Sequence, residues 1–308
     1  MGLSLNWNCR QEGCGDCPEE GYRVKLSSPS TVRELLQEQG LRLKKSLGQH
    51  FLCDENILHK IIVAAELSPR DLVIEPGAGL GTLTLELATK AGRVIAVEVD
   101  PKLVQVLRAN VAASGLTNIE IHRQDFLELD LAGLLARSAL PQAKVVGNLP
   151  YQITSPILEM LMAVRGHLSS AVLMVQHELA ERLTAPPGPR ASALGVQLQA
   201  VADVELLAKV PRTVFFPPPE VDSALIRLEF LERPKVEADP EAFSRVVRAA
   251  FNLRRKTIKQ ALIRSPFLAL QQGLALLALQ EAGIEPQRRG ESLSVEEFDR
   301  LARAIQDS

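Results

Sequence analysis

Between Asp71 and Val175 short apolar runs alternate with amphipathic stretches, and this alternation constrains the fold more than any other feature of the chain. The runs Asp71–Glu75, Arg93–Val99, Asn118–His122, Ala143–Gly147 and Ala171–Val175 are short and apolar, as strands covered on both faces are. Leu80–Lys90, Pro101–Ser114 and Pro156–Ala163 read as the helices between them, the second with Pro in its first turn, where a missing N–H leaves no bond unmade. Such repetition predicts an α/β fold built on a mainly parallel sheet with helices on both faces. Helices are also predicted upstream, over Ser30–Gln39 and Glu55–Glu66. After Leu206 the character changes: Leu225–Phe230 reads as a strand and Glu232-Arg233-Pro234 as a linker. Asp239-Pro240-Glu241 then supplies an N-cap, a Pro at N1 and an acid in the first turn of a helix. Only helices follow, the last opened by the capping box Ser294-Val-Glu-Glu297. The predicted organisation is an α/β domain over residues 24–234 and a small all-α domain over 235–308.

Composition excludes several classes. Apolar residues make up 46% and charged residues 23% of the 308-residue chain, as in globular proteins. Every apolar stretch is interrupted well short of a bilayer span, and no basic segment followed by an apolar one opens the chain, so a cytoplasmic location is expected. With a net charge of −2, any contact with nucleic acid must rest on local basic clusters. Lys44 with Lys45, and Arg254-Arg255-Lys256, are the candidates; the competing reading is a solvated helix face. Cys9, Cys14 and Cys17 have a spacing that resembles one iron–sulfur arrangement, but no Cys or His completes it at a suitable distance, so no metal is expected. Glu19-Glu20-Gly21 can be encoded by a purine run resembling a ribosome-binding site two codons before Val24. Residues 1–23 are therefore expected to be an over-long gene start.

The chemistry concentrates at the carboxyl ends of the predicted strands. Glu75-Pro-Gly77-Ala-Gly79-Leu-Gly81 follows the first, with glycines spaced to let the backbone approach a ligand and turn into a helix. The acid before them departs from a pyrophosphate-binding fingerprint, because a carboxylate repels pyrophosphate and suits an ammonium and a sulfonium instead. Glu98 ends the second strand, where an acid accepts ribose hydroxyls; Asp125 ends the third with Phe126 beside it, placed for an adenine amine; Asn148 ends the fourth. Polar groups in that order line one crevice and point to S-adenosyl-L-methionine as cofactor. Asn148-Leu149-Pro150-Tyr151 makes an ordinary turn in isolation, since Pro fixes φ and Asn tolerates unusual angles. At the fourth strand end it also presents an amide oxygen and backbone carbonyls to an exocyclic amine, with Tyr151 able to stack on the ring that carries it.

The segments KKSLGQHFL (44–52), EPGAGLGTLT (75–84), VEVD (97–100), QDF (124–126), GNLPYQITSPIL (147–158), FFPPPEVDSA (215–224) and AFNLRRKTIKQAL (250–262) together resemble the ribosomal RNA adenine N6,N6-dimethyltransferases, and within them the branch acting on small-subunit (16S) rRNA. The resemblance implies a Rossmann-like methyltransferase domain and dimethylation of N6 of two adjacent adenines in the 3'-terminal hairpin of 16S rRNA. The implied partner is that rRNA in the small subunit or its precursor, met by a monomer with a role in subunit biogenesis. It implies that His50 and Leu52 help close the cofactor site, that Gly77 lies against the methionine part, that Glu98 holds the ribose and Asp125 the adenine, and that Asn148 touches both cofactor and target. Phe215 is implied to sandwich the extruded adenine opposite Tyr151. Family members often have Asn where this chain has His50. The alternatives are the resistance branch acting on 23S rRNA and a non-catalytic assembly or transcription factor on the same fold. Leu47-Gly48-Gln49 and Leu149 resemble the small-subunit branch, and the acids Glu75, Glu98 and Asp125 speak for retained cofactor binding.

Overall fold

The computed structural model describes residues 26–41, 48–138, 140 and 142–306, so the cysteine-bearing tail and Lys44 with Lys45 lie outside the described residues. Helix α1 (Pro29–Glu38) and the short strand β1 (Phe51–Leu52) precede α2 (Glu55–Ala65), which Asp54 caps by accepting from the Ile57 N–H at 3.0 Å. The expected alternation follows: β2 (Asp71–Pro76), α3 (Thr82–Ala88), β3 (Arg93–Glu98), α4 (Pro101–Ser114), β4 (Ile119–Arg123), α5 (Leu131–Ala136), β5 (Gln142–Asn148), α6 (Thr154–Ala163) and β6 (Ser170–Gln176). Asp100 caps α4 through the Lys102 N–H, and Pro101 occupies its first turn.

These strands belong to a seven-stranded sheet ordered β4-β3-β2-β5-β6-β9-β7. The first five are parallel; β9 (Ser223–Phe230) and β7 (Ala202–Val210) add two antiparallel strands at one edge. The sequence reading missed β7, as well as α7 (His177–Leu183) and α8 (Ala193–Gln199) before it. A register shift between Leu206 and Ala208 breaks the two-residue period of β7, which weakens its pattern. Chain order reverses between β2 and β5, so their carboxyl ends flank the crevice where such sheets take ligands. The two strands approach closely there: a Cβ on Gly147 would lie 2.9 Å from Pro76 Cδ, so no larger residue fits without displacing β2.

Both sheet faces are covered, which explains the unbroken apolar runs. Leu72, Ile74, Val97, Val145 and Leu173 pack against Ile157, Leu158 and Leu161 of α6. Val73, Val94, Val146 and Met174, on the other face, pack against Ile57, Leu58 and Ile61 of α2 and Leu83 and Leu87 of α3. A second sheet of two strands pairs β1 with β8 (Phe215–Phe216), joining Leu52 to Phe215 and Phe51 to Phe216 across more than half of the described chain.

From Pro240 onward the described chain is helical: α9 (Pro240–Asn252), α10 (Ile258–Arg264), α11 (Gln272–Glu281) and α12 (Val295–Gln306). Their core of Val246, Val247, Leu262, Leu279, Phe298 and Leu301 takes in Val196 from α8 and Ala200, which caps it. The helices thereby dock on the α/β layer through apolar contact.

Candidate functional site

One cleft opens over the carboxyl ends of β2, β3 and β5. It is lined by His50 and Leu52 from the β1 segment, Glu75, Gly77 and Gly79 from the β2–α3 turn, Glu98, Asp125 and Phe126 from the next two strand ends, and Asn148 and Pro150 after β5. The structure thus brings together every residue proposed for the cofactor. The glycine turn has positive φ at Gly77 (71°), Gly79 (58°) and Gly81 (91°), angles that L side chains rarely adopt. At Gly79 a Cβ would also stand 3.1 Å from the Phe51 ring, which forms one wall.

The three acids differ in what holds them. Glu75 is buried and its carboxyl takes a 2.5 Å hydrogen bond from the Thr84 hydroxyl. Burial, against the smaller stabilising effect of that bond, pushes its pKa up to about 8. Glu98 is also held above the usual carboxylate range by burial, although Gly79 N–H at 2.9 Å and Asp100 N–H at 2.8 Å donate to its two oxygens. Asp125 Oδ1 accepts from Leu127 N–H at 3.0 Å, and its Oδ2 receives no donor from the described residues. A hydroxyl-accepting acid, an amine-accepting acid beside the buried Phe126 ring, and a proton-holding acid next to a glycine cradle fit a cationic adenosyl ligand.

Asn148 is oriented without ambiguity. Its Nδ2 donates to the His50 carbonyl at 2.9 Å, and a carbonyl only accepts, so Oδ1 is the end that receives no donor among the described residues. The choice among nearby carbonyls also resolves: Pro150 O already accepts from Ile153 N–H at 3.1 Å and from the Thr154 hydroxyl at 3.1 Å, which uses both lone pairs. The Leu149 carbonyl carries neither donor, while its side chain is buried and its N–H pairs with Met174 O at 3.1 Å. Tyr151, half-buried, bonds through its hydroxyl to Ser223 at 2.7 Å.

Two expectations are corrected here. Phe215 is 3% exposed, packed with Leu52, Ile57 and Val210, and does not line the cleft. Its pairing with Leu52 turns the ring into the core, and withdrawing it would forfeit about 2–3 kcal/mol of burial. The ring that faces Tyr151 is His50, at 6.1 Å between centroids. Arg254 is likewise not free for phosphate: its guanidinium donates to Pro189 O at 2.7 Å and to Ala191 O and pairs with Glu291 at 3.1 Å. Arg255 and Lys256 are exposed, and their side chains make no hydrogen bond or ion pair among the described residues. Sequence reasoning also left Thr84, Ser223 and the Pro217 carbonyl unassigned. They lie within the quoted motifs, but only the fold shows that Thr84 meets Glu75, Ser223 meets Tyr151 and Pro217 O accepts from His50 Nδ1 at 2.7 Å.

The sequence model of a family described as ribosomal RNA adenine dimethylase matches residues 40–307. The chain belongs to the ribosomal RNA adenine dimethylase family. Curated relatives of this dimethylase agree: a Ribosomal RNA small subunit methyltransferase A from Moorella thermoacetica is 45% identical over 91% of the chain and 99% of its own length. One of the same name from Pelotomaculum thermopropionicum is 45% identical over 92% of the chain. Among solved structures the dimethylase resembles a dimethyladenosine transferase from Plasmodium falciparum, with 26% identity, a TM-score of 0.71, and coverage of 82% of this chain and 96% of the other. It also resembles the 23S rRNA methyltransferase ErmE, with 30% identity, a TM-score of 0.65, and coverage of 83% and 99%. The dimethylase is thus an enzyme with a mostly parallel, methyltransferase-type sheet that uses S-adenosyl-L-methionine as methyl donor on ribosomal RNA.

Proposed function

We propose that the protein dimethylates N6 of two adjacent adenines in the 3'-terminal hairpin of 16S rRNA, acting on the small subunit or its precursor during subunit biogenesis. The observation that carries the reading is the end of β5: an amide whose Oδ1 is left free, the unclaimed Leu149 carbonyl and the Tyr151 ring, next to a cleft suited to an adenosyl ligand. The relatives named for the small subunit, at 45% identity, favour this substrate over 23S rRNA, the substrate named for ErmE at 30%.

Glu98 holds the ribose of the cofactor, Asp125 its adenine amine, and Glu75 with Gly77 faces its charged methionine part; His50 and Leu52 close the cleft from the β1 side. When bound, the cofactor supplies an electrophilic methyl group on a sulfonium. The residues do the rest by positioning. An adenine amine is a weak nucleophile because its lone pair is delocalised into the ring. Asn148 Oδ1 and the Leu149 carbonyl accept its two N–H bonds, favour a pyramidal nitrogen and aim the lone pair at the methyl group. Tyr151 supports the extruded base, and Pro150 fixes the angle between amide and ring. A monomethylated amine retains one N–H, which a single acceptor suffices to hold for the second transfer.

Residues 24–234 form the methyltransferase domain of this reading, and 235–308 the helical domain that adds RNA contacts through Arg255 and Lys256. In this reading the protein acts as a cytoplasmic monomer. Mapping dimethyladenosine on host rRNA with and without the gene tests the reading. Loss of adjacent dimethyladenosines from 16S rRNA on deletion supports it, and loss from 23S rRNA instead overturns it.

A further inference from the structure

The loop between α7 and α8, Ala185-Pro-Pro-Gly-Pro-Arg-Ala191, is pinned to the helical domain. Its ends, Ala185 and Ala191, are buried, and the prolines between them fix φ along the exposed part. Gly188 N–H donates to the Glu291 carbonyl at 2.6 Å. The Arg254 guanidinium donates to Pro189 O at 2.7 Å and to Ala191 O at 3.3 Å, the carbonyls on either side of Arg190. The Arg190 backbone is thus clamped while its side chain stays 72% exposed.

The helical domain presents its own cations at the same clamp. Arg255 and Lys256 follow Arg254 directly, in a turn closed by Lys256 N–H on the Leu253 carbonyl at 2.8 Å. Thr257, the next residue, makes a β-bridge to Arg289, whose side chain is 61% exposed. Gly290 beside it packs so close to α9 that a Cβ would stand 2.7 Å from Ala250 Cβ, which holds the Arg289 backbone in place. Two acids meet this group. Glu291, only 13% exposed, pairs with Arg254 at 3.1 Å and keeps its other oxygen 3.9 Å from Arg289. Glu181 lies 3.8 Å from Arg190. Both of the longer separations exceed a hydrogen bond, and surface pairs of that kind contribute at most about 1 kcal/mol. With Glu291 taken by Arg254, four exposed cations stand against Glu181.

The geometry points to one phosphate-binding ridge built across the domain junction, in which Arg190 from the α/β domain and Arg289 from the helical domain join Arg255 and Lys256 on the backbone of the substrate RNA. The inference rests on the proposed RNA contacts of Arg255 and Lys256 and extends them to the methyltransferase domain. Guanidinium and ammonium groups displayed in this way meet phosphate oxygens and fix register without reading sequence. Clamped backbones leave only side-chain freedom to lose on binding. None of the four lines the cleft, so the ridge holds RNA away from the reacting atoms. Because it draws on both domains, their junction sets where a bound strand lies relative to the cleft.

The test is the salt dependence of binding between full-length protein and small-subunit particles, with methyl-transfer kinetics alongside. Each lost phosphate contact should shrink the ratio of dissociation constants at about 200 and 50 mM salt by about threefold. Arg190→Ala and Arg289→Ala are each expected to do so, and the double variant to reach about tenfold. Arg190→Lys keeps the charge and should keep the wild-type ratio. In the Ala variants KM for particles should rise while kcat at saturation holds. Lys90→Ala, which removes an exposed cation after α3, should change neither the ratio nor KM. Unchanged ratios in both Arg190→Ala and Arg289→Ala would overturn the inference. So would an equal fall in Lys90→Ala, since diffuse charge would then account for the effect. If Arg289→Ala lowers the melting temperature, Arg190→Ala decides alone. A wild-type ratio after joint replacement of Arg255 and Lys256 by Ala defeats the underlying reading as well; a shifted ratio there, with none in Arg190→Ala and Arg289→Ala, defeats only the ridge.

Discussion

Replacing Asn148 by Ala removes two separable things. One is structural: the Nδ2 bond to the His50 carbonyl, 2.9 Å long at a half-buried site, whose loss costs about 1 kcal/mol of stability, or roughly 2 °C in melting temperature for a chain of this size. The other is the Oδ1 acceptor proposed to orient the amine. An oriented group acting only as charge develops in the transition state is worth about 2.7–4 kcal/mol, which corresponds to a fall in kcat of about 10²–10³. Cofactor affinity should change much less, because Glu75, Glu98 and Asp125 sit on other strand ends and keep their hydrogen bonds. Single-turnover transfer of tritiated methyl to small-subunit particles measures the first quantity; titration calorimetry with S-adenosyl-L-methionine measures the second. Asn148→Asp sharpens the comparison. It keeps an acceptor but sets a carboxylate oxygen against the His50 carbonyl, so it should be nearly as impaired as the Ala variant. An Asn148→Ala enzyme within threefold of wild-type kcat would refute the amine-orienting role.

The raised pKa of Glu75 has a definite pH signature. The folded carboxyl keeps its proton up to about pH 8 while the unfolded chain releases it near 4.5, so the folded state binds more protons between those values and stability falls as pH rises through that window. Thermal melts of the cofactor-free protein should decline from pH 5 to pH 8, and Glu75→Gln should flatten the decline. Binding of the cationic cofactor should release a proton below pH 8, seen as a buffer-dependent binding enthalpy in wild type and lost in Glu75→Gln. Gly81→Ala forces a side chain into φ 91° and places its Cβ 2.7 Å from Leu107 Cδ1, so a loss of about 2–4 kcal/mol is expected in denaturant unfolding. Arg254→Ala should lower the melting temperature by releasing Pro189 O, Ala191 O and Glu291. Replacing Arg255 and Lys256 should leave melting unchanged and reduce the salt slope of RNA binding by about one per lost phosphate contact; the reverse pattern would return Arg254 to the RNA interface.

Local chemistry was legible where it repeats along the chain. The apolar runs that became β2 to β6, the Pro-started α4 and the glycine turn all act through backbone geometry and burial patterns spanning a few residues, so their neighbours in sequence announce them. The acids were legible for the same reason: each follows a strand, and parallel strands place their carboxyl ends on one side of a sheet. The edge strand β7 was not, since its bulge breaks the period and its partner β9 lies beyond a loop.

What the sequence by itself determined is therefore the class of fold, the strand ends that carry polar groups, and the family whose motifs they form. The tertiary structure alone decided which contacts those groups make and which of them stay open to a ligand. Pairing of β1 with β8 turns Phe215 into the core and brings His50 to Tyr151; Pro189, Ala191 and Glu291 engage the Arg254 guanidinium; two donors on Pro150 O leave Leu149 as the available carbonyl. Each of these outcomes depends on contacts between residues far apart in the chain. Whether a ring or a guanidinium faces a ligand or a neighbour is set by which lone pairs and surfaces the packed chain has already used, and residue type does not record that.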